Sequence, residues 1–474
     1  MSTFQRQILS RFLYHLKENQ VETHAICIYH DGKQILNQAY APFDTNVLHP
    51  LYSVTKSFTS LAFGFLQQEQ HLDVNTTWIS YFPEYESYAT KEFKTVTLKS
   101  LLTMTLGQDS ETILYPNTDW IPSIISKPIV YQPGSKFFYN STCSYLISRL
   151  IEKLIKQKLS DYLNEKLFQP LDIQEYEWEE DQQGHCIGGF GLHLKTEDLA
   201  KVGYCILNKG MYEGKQILPL DYLEEATQKQ VDNASEYPVN RSENRQGYGY
   251  QFWMCSRDGF RCSGLHGQLC YINPKEHLVI AMSSCTTGSQ AILDCLFKAY
   301  NETTIVEPYT DFNIPKITGL PTSKYLKEYL GRYTALENPA GITSMELKQE
   351  GSEVTLEIQK ANKTYTIEAT YNDWYQQENV LLDFSKLYWQ DAMKPLEEIH
   401  QYPMYANMAW LTPTTLSIQT RALNSSSAHH FNIHLDGQKG LRLEYSVSGL
   451  YTAFATFEVI FKPTNQINEK LYQM

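Results

Sequence analysis

At 474 residues the chain exceeds the roughly 250 to 300 residues that one hydrophobic core usually reaches, so two domains are expected. Hydrophobic residues at 42% and charged residues at 20% match ordinary globular usage and exclude a disordered or fibrous chain. The net charge of -13, with no run of lysines or arginines, excludes a nucleic-acid footprint, and no apolar run nears the roughly 20 residues that span a bilayer.

The first ten residues lack the continuous apolar segment and small-residue cleavage site of a secretory signal. Ile8, Leu9, Phe12, Leu13 and Leu16 instead recur at helical spacing, with Arg6, Arg11 and Lys17 largely on the wet side, which predicts an amphipathic first helix. The nine cysteines are odd in number, scattered from Cys27 to Cys295, and form no CxxC pair. Neither a disulfide framework nor a zinc knuckle is indicated, and a reducing cytoplasm is the expected compartment.

Residues 24–30 and 33–40 are β-prone and flank Asp31-Gly32, a strong hairpin signal. From about Ser53 to about residue 300 the patterns are mostly helical, with Phe58, Leu61, Ala62, Phe65 and Leu66 on one predicted face. Strand character returns at residues 248–253, 267–272 and 278–282, with Asn273-Pro274 as the turn between the last two. Early and late strands are therefore expected to share one sheet. Residues 303–322 carry Pro308, Pro315, Gly319 and Pro321 without periodicity and read as a linker between domains at 1–302 and 323–474. Beyond it, short runs alternate apolar and polar residues, for example 353–358, 363–368, 415–419 and 441–445, which predicts a small antiparallel barrel or sandwich.

Ser53-Val-Thr-Lys56 is the only SxxK in the chain. Residues three apart on a helix share a face, so hydroxyl and amine can meet there. A serine hydroxyl needs a base to become a nucleophile, and a lysine serves as that base only when its amine is held neutral. The amides at a helix start also favour the oxyanion of an acyl-transfer intermediate. The same four residues suit a helix-capping serine above a solvated lysine, so the tetrapeptide alone leaves both readings open.

Phe137-Phe-Tyr-Asn-Ser141, preceded by Pro133-Gly134 and followed by an amphipathic pattern, is where the chain begins to resemble the serine β-lactamase and penicillin-binding family. The resemblance is to its class C branch, and within that to the esterase and amidase relatives. Leu101-Leu-Thr-Met-Thr-Leu-Gly107, Gly188-Gly-Phe-Gly-Leu192 and Ser263-Gly-Leu-His-Gly-Gln268 extend it across roughly residues 20 to 300. It implies an α/β (α+β) β-lactamase-like fold: an antiparallel sheet flanked by helices with a helical subdomain, followed here by a small β-rich domain. It further implies Ser53 as nucleophile, Lys56 and Tyr139 as proton carriers, and the backbone N–H groups of Ser53 and Gln268 as the oxyanion hole, with Gly267 allowing close approach. Many relatives read Tyr-Ser-Asn; this chain reads Tyr139-Asn140-Ser141, so Ser141 takes the asparagine's place. Leu265-His266-Gly267 stands where relatives carry Lys-Thr-Gly or His-x-Gly, which removes the cation that holds a substrate carboxylate. His266, one place later, suits either substrate contact or a structural role.

The implied function is a serine hydrolase acting on a small ester or amide through an acyl-enzyme, without a cofactor. A penicillin-recognising D-Ala-D-Ala peptidase or class C-like β-lactamase, and a non-catalytic binding protein, are the alternatives. HExxH, a Walker-type phosphate loop and a GxSxG elbow are all missing from the sequence. His429-His430 with His434 is the one candidate metal patch, but neighbours on a strand point to opposite faces, so no metal is expected.

Overall fold

Asp31 and Gly32 adopt positive φ values of 47° and 76°, the geometry of a two-residue hairpin turn, and so join the first two strands as their sequence predicts. The structure is a computed structural model that describes residues 3–112, 118–378, 402–437, 439–448 and 456–464. Two compact units emerge: the first takes described residues up to 39 and from 45 to 311, the second residues 40–44 and those from 312 onward.

In the first unit, helix α1 (Thr3–Glu18) leads into strands β1 (Glu22–His30) and β2 (Lys33–Ala39), and then helix α2 (Thr55–Gln70). Helices α3 (Ser141–Ile155) and α4 (Thr196–Leu207) follow, then strands β3 (Trp253–Met254), β4 (Phe260–Ser263), β5 (Leu269–Asn273) and β6 (Leu278–Cys285), and helix α5 (Ser289–Asn301). The strands form a six-stranded sheet in the order β2-β1-β6-β5-β4-β3. Every neighbouring pair is antiparallel, and β1 lies directly against β6, so the early and late strands do share one sheet. β6 is buried along its whole length, as expected of a strand that lies inside the sheet with helices on its faces.

Gly203 sets how closely α4 approaches this sheet. A Cβ there would lie 2.5 Å from the Cys270 sulfur and 2.8 Å from a Val279 methyl. On the helical side, α2 buries Phe58, Leu61, Ala62, Phe65 and Leu66, the predicted face, in a core shared with Leu146, Leu150 and Ile151 of α3.

The expected strand at 248–253 is confined to β3. Gly247 and Gln251 have φ values of 111° and 66°, and Gly249 is pressed against the Ala226 carbonyl, so the chain turns through this stretch instead of extending. Gln251 uses the turn to tie elements together: its amide donates to the carbonyls of Leu101 and Leu102 and accepts from Ser144 of α3.

The second unit is β-rich. Strands β7 (Gly331–Ala335), β8 (Ile342–Glu350), β9 (Glu353–Lys360), β10 (Lys363–Tyr371), β11 (Tyr375–Gln377), β12 (Met404–Thr412), β13 (Thr415–Ala422), β14 (Ala428–Leu435), β15 (Leu441–Ser448) and β16 (Thr456–Pro463) form one sheet. A parallel pairing between β10 and β12 closes it into a barrel. Alternation along β9, β14 and β15 places every second side chain in the interior, including Val354, Leu356, Phe431, Ile433, Leu441 and Leu443. Residues 314–320 run along the outside of this barrel, where Leu320 and Trp410 exchange backbone hydrogen bonds and Asn407 accepts from the Ile317 amide at 2.6 Å. Among the described residues no helix is long and apolar enough to cross a membrane.

Candidate active site

Ser53 lies on a single 3-10 turn, Tyr52–Val54, that runs straight into α2. Tyr52 enters that turn at a φ of 46°, a left-handed conformation that costs a non-glycine residue about 1 to 3 kcal/mol and is held only where its surroundings impose it. One turn further on, Lys56 is buried at 1% exposure while Ser53 stays half-buried.

The Lys56 ammonium donates to Ser53 Oγ at 2.9 Å, to Ser141 Oγ at 3.2 Å and to the Gly189 carbonyl at 2.7 Å. It also lies 4.9 Å from the centre of the Tyr139 ring. Burial pulls this lysine down from its ordinary value to about 8, against a smaller upward pull from the Glu111 carboxylate. Near neutral pH a useful fraction of Lys56 is therefore a free amine already aimed at a serine hydroxyl.

Tyr139 supplies a second hydrogen-bonding partner to Ser53. Its ring packs on Trp253 at 5.2 Å and on Tyr248 at 6.3 Å, and this burial pushes the phenol up, only partly offset by the Ser53 contact. The phenol is thus a proton donor at rest. The neighbouring Asn140 and Ser141 divide the work that their exchanged order raises. Asn140 is fully buried and caps α3, accepting from the Thr142 amide at 3.0 Å and its hydroxyl at 2.6 Å. Ser141 begins the helix with its hydroxyl on Lys56.

Opposite Ser53 runs the segment Gly264–Gln268. Leu265–Gly267 forms a 3-10 turn before β5, not a strand, because His266 and Gly267 both take left-handed φ values, 60° and 82°. A Cβ on Gly264 would meet the Leu51 carbonyl at 2.3 Å and the Ser53 nitrogen at 3.3 Å, so glycine is what allows these two backbones to touch. Ser284 donates to the carbonyls of His266 and Gly267 at 3.1 and 2.9 Å and fixes the turn from behind. The Gln268 side chain is turned inward, donating to the Ser284 carbonyl at 2.8 Å, while its backbone N–H makes a long 3.4 Å bond to the Leu265 carbonyl and its carbonyl accepts from the Gly264 amide at 2.8 Å. His266 is buried at 1% exposure, with its ring edge-on to Tyr52 at 5.2 Å. Two left-handed residues, Tyr52 in the turn that carries Ser53 and His266 in the facing segment, thus pack against each other.

Two members of the site are not among the residues the sequence picks out as functional, although Gly189 lies within the Gly188–Leu192 motif. Gly189 acts through its carbonyl, and Glu111 through a carboxylate oxygen that accepts from the Ser141 amide at 2.6 Å. Elsewhere, His49 is fully buried between His24 and His193; burial first, and then those two neighbours, keep its imidazole well below the ordinary histidine range. On β14, His429 pairs with Tyr445, His430 with Ser448 and His434 with Glu444. No cluster of three or more metal-ligating side chains exists among the described residues.

The family model described as "Beta-lactamase" matches residues 9–294, a span that contains every residue of this site. Protein flp of Staphylococcus aureus (strain MW2) is 25% identical over 186 residues, which cover 36% of this chain and 37% of that protein. The chain thus matches little more than a third of the length of that curated relative. Among solved structures, a penicillin-binding protein homolog from Caulobacter crescentus is similar at a TM-score of 0.51 with 14% identity, covering 63% of this chain and 97% of its own. EstCE1, a hydrolase with promiscuous acyltransferase activity, is similar at a TM-score of 0.50 with 15% identity, covering 62% and 98%. At these identities the structural likenesses bear on the fold alone, and the fold is β-lactamase-like with an added C-terminal barrel. Because the family model spans well over half of the sequence, the chain belongs to the Beta-lactamase family.

Proposed function

We propose that the first unit is a serine hydrolase that opens a small ester or amide through an acyl-enzyme on Ser53. The observation that carries this reading is the Lys56 amine, lowered to about 8 and 2.9 Å from the Ser53 hydroxyl. Ser53 Oγ attacks the carbonyl carbon as its proton passes to neutral Lys56. The oxyanion that forms is held by the backbone N–H groups of Ser53 and Gln268, the latter exchanging its long 3.4 Å bond to the Leu265 carbonyl for the oxyanion, on a segment whose approach Gly264 allows and the Ser284 bonds brace. The C–O or C–N bond then breaks, and the leaving group departs with a proton relayed from Lys56 or the Tyr139 phenol. Water adds to the acyl carbon by the reverse route, releasing the acid and restoring the serine.

A carboxylate-bearing substrate such as a penicillin is less well served. Leu265 is apolar and His266 is buried against Tyr52, so neither offers a cation to that carboxylate. The cytoplasm is the proposed compartment, on the odd cysteine count and the lack of a CxxC pair.

The test is labelling with a fluorophosphonate, read by intact-protein and peptide mass spectrometry, beside turnover of p-nitrophenyl esters. A single adduct on Ser53, lost together with turnover in Ser53→Ala, is the expected result. Labelling that survives the substitution removes Ser53 from the role, and wild-type protein that neither labels nor turns over favours a binding protein on this fold.

A further inference from the structure

Residues 55–66 of α2 are all buried, yet this stretch carries hydroxyls at Thr55, Ser57, Thr59 and Ser60. A buried hydroxyl is costly unless it is hydrogen-bonded, and each of these is. They divide between two segments of chain. Ser57 donates to the Gln251 carbonyl at 2.7 Å and Ser60 to the Tyr250 carbonyl at 2.6 Å. Thr59 donates to the Gly188 carbonyl at 2.8 Å, and Thr55 accepts from the Leu192 amide at 3.0 Å. Segment 188–192 is thus pinned at both ends to the helix that carries Lys56. The Leu51 amide, just ahead of the Ser53 turn, adds a bond to the Leu192 carbonyl at 2.9 Å.

On its other side the segment is closed in by α3. A Cβ on Gly188 would lie 2.6 Å from the Ser148 Cβ and 2.8 Å from the Ser144 carbonyl oxygen, and one on Gly189 would lie 3.1 Å from the Ser141 carbonyl oxygen. The two glycines therefore run where α2 and α3 leave no space for a side chain, and the Gly189 carbonyl ends 2.7 Å from the Lys56 amine. That bond is shorter than those of Lys56 to Ser53 and Ser141, and its partner differs in kind. A carbonyl can only accept, so it takes an N–H of Lys56 whether the amine is charged or neutral, whereas a hydroxyl can accept or donate. A neutral amine has two N–H bonds and one lone pair. With one N–H fixed on Gly189 and the other directed at Ser141, the lone pair is left for the Ser53 hydroxyl.

We propose that Thr59, with Thr55, is a positioning residue of the acylation step, holding segment 188–192 so that the Gly189 carbonyl turns the Lys56 lone pair onto Ser53. The inference rests on the Ser53 hydrolase reading and adds to it what aims the base. Both threonine hydroxyls are spent on backbone groups of that segment, so they act on Lys56 through it. A carbonyl that accepts from the ammonium favours the charged form of the lysine. Loosening the segment withdraws that support and makes Lys56 easier to deprotonate. An opening of the fold that merely admitted water would instead relieve the burial that depresses Lys56 and pull it upward. The two effects have opposite signs.

The discriminating experiment measures the pH profile of kcat/KM for a p-nitrophenyl ester, and the rate of fluorophosphonate labelling at Ser53, in the wild type, Thr59→Val, Thr59→Ser and Ser60→Ala. Valine keeps the shape of threonine and removes the hydroxyl; serine keeps the hydroxyl. Thr59→Val is expected to lower both the plateau of kcat/KM and the labelling rate by about 10-fold or more, the consequence of a base turned away from its proton, while the acid limb moves to lower pH. Thr59→Ser is expected to stay within about 3-fold of the wild type, and so is Ser60→Ala, which removes an equally buried hydroxyl whose bonds lie away from segment 188–192. A Thr59→Val enzyme as active as the wild type overturns the inference and leaves the hydrolase reading standing. So does a loss whose acid limb stays in place or moves up, and so does a Thr59→Ser or Ser60→Ala enzyme as impaired as Thr59→Val. Should Thr59→Val fail to fold by circular dichroism, Thr55→Val, which releases the other end of the segment, is read by the same criteria. If wild-type protein neither labels nor turns over ester, the hydrolase reading itself fails and the inference falls with it.

Discussion

Lys56 is the residue on which the proposed chemistry turns, and it has a signature in pH. Its depressed value comes first from burial, so the charged form is what the site disfavours. Only the neutral amine can take the Ser53 proton. The rate constant kcat/KM for a neutral ester is therefore expected to fall about tenfold per unit as pH drops below about 8, which a pH–rate profile checks directly. A profile flat from pH 6 to 9 would sink Lys56 as the base. Because Glu111 pulls Lys56 upward, Glu111→Gln should move this limb to lower pH, not higher. Tyr139 cannot account for such a limb, since its burial pushes the phenol the other way.

The elements around these residues were readable in unequal degree. The Asp31-Gly32 hairpin and the apolar face of α2 follow from local pattern, because neighbours in sequence decide a two-residue turn and one side of a helix. The turn at Leu265–Gly267 and the loop before β3 do not, because each is bent by contacts from distant segments: Leu51 and Ser284 in one case, Ala226 in the other. The same reason hides Glu111, whose partner is the main-chain amide of Ser141, 30 residues away, and a main-chain amide leaves no mark in a sequence. Ser53, Lys56 and Tyr139 stand out because their chemistry lies in their side chains. Gly264 offers a test at this scale. The turn that carries Ser53 and the turn that carries Gln268 approach so closely that a Cβ on Gly264 would strike the Leu51 carbonyl. Gly264→Ala is expected to lower kcat/KM by about 100-fold, the cost of misplacing reacting groups by about 1 Å, with far-UV circular dichroism retained. Full activity in that variant would mean that the two backbones need not touch.

At the scale of the whole molecule, the closed barrel of the second unit leaves no long edge strand among its described strands, which protects it from edge-to-edge association. The first unit has open edges at β2 and β3, the latter only two residues long. Its site draws on segments that no local structure brings together. The hydrogen bonds of Lys56 to Ser141 and Gly189 cross 85 and 133 residues of chain. Loop-closure entropy must be met before such contacts form, so they belong to the late stages of folding. Until then Lys56 is an ordinary solvated, protonated amine and Ser53 an inert hydroxyl. In refolding from denaturant, ester hydrolysis is accordingly expected to lag the recovery of far-UV ellipticity, and simultaneous recovery would contradict this order. On the proposed chemistry, a partly folded chain on its way to the native state carries no acyl-transfer reactivity, and Ser53 becomes reactive only once the fold that houses it is complete.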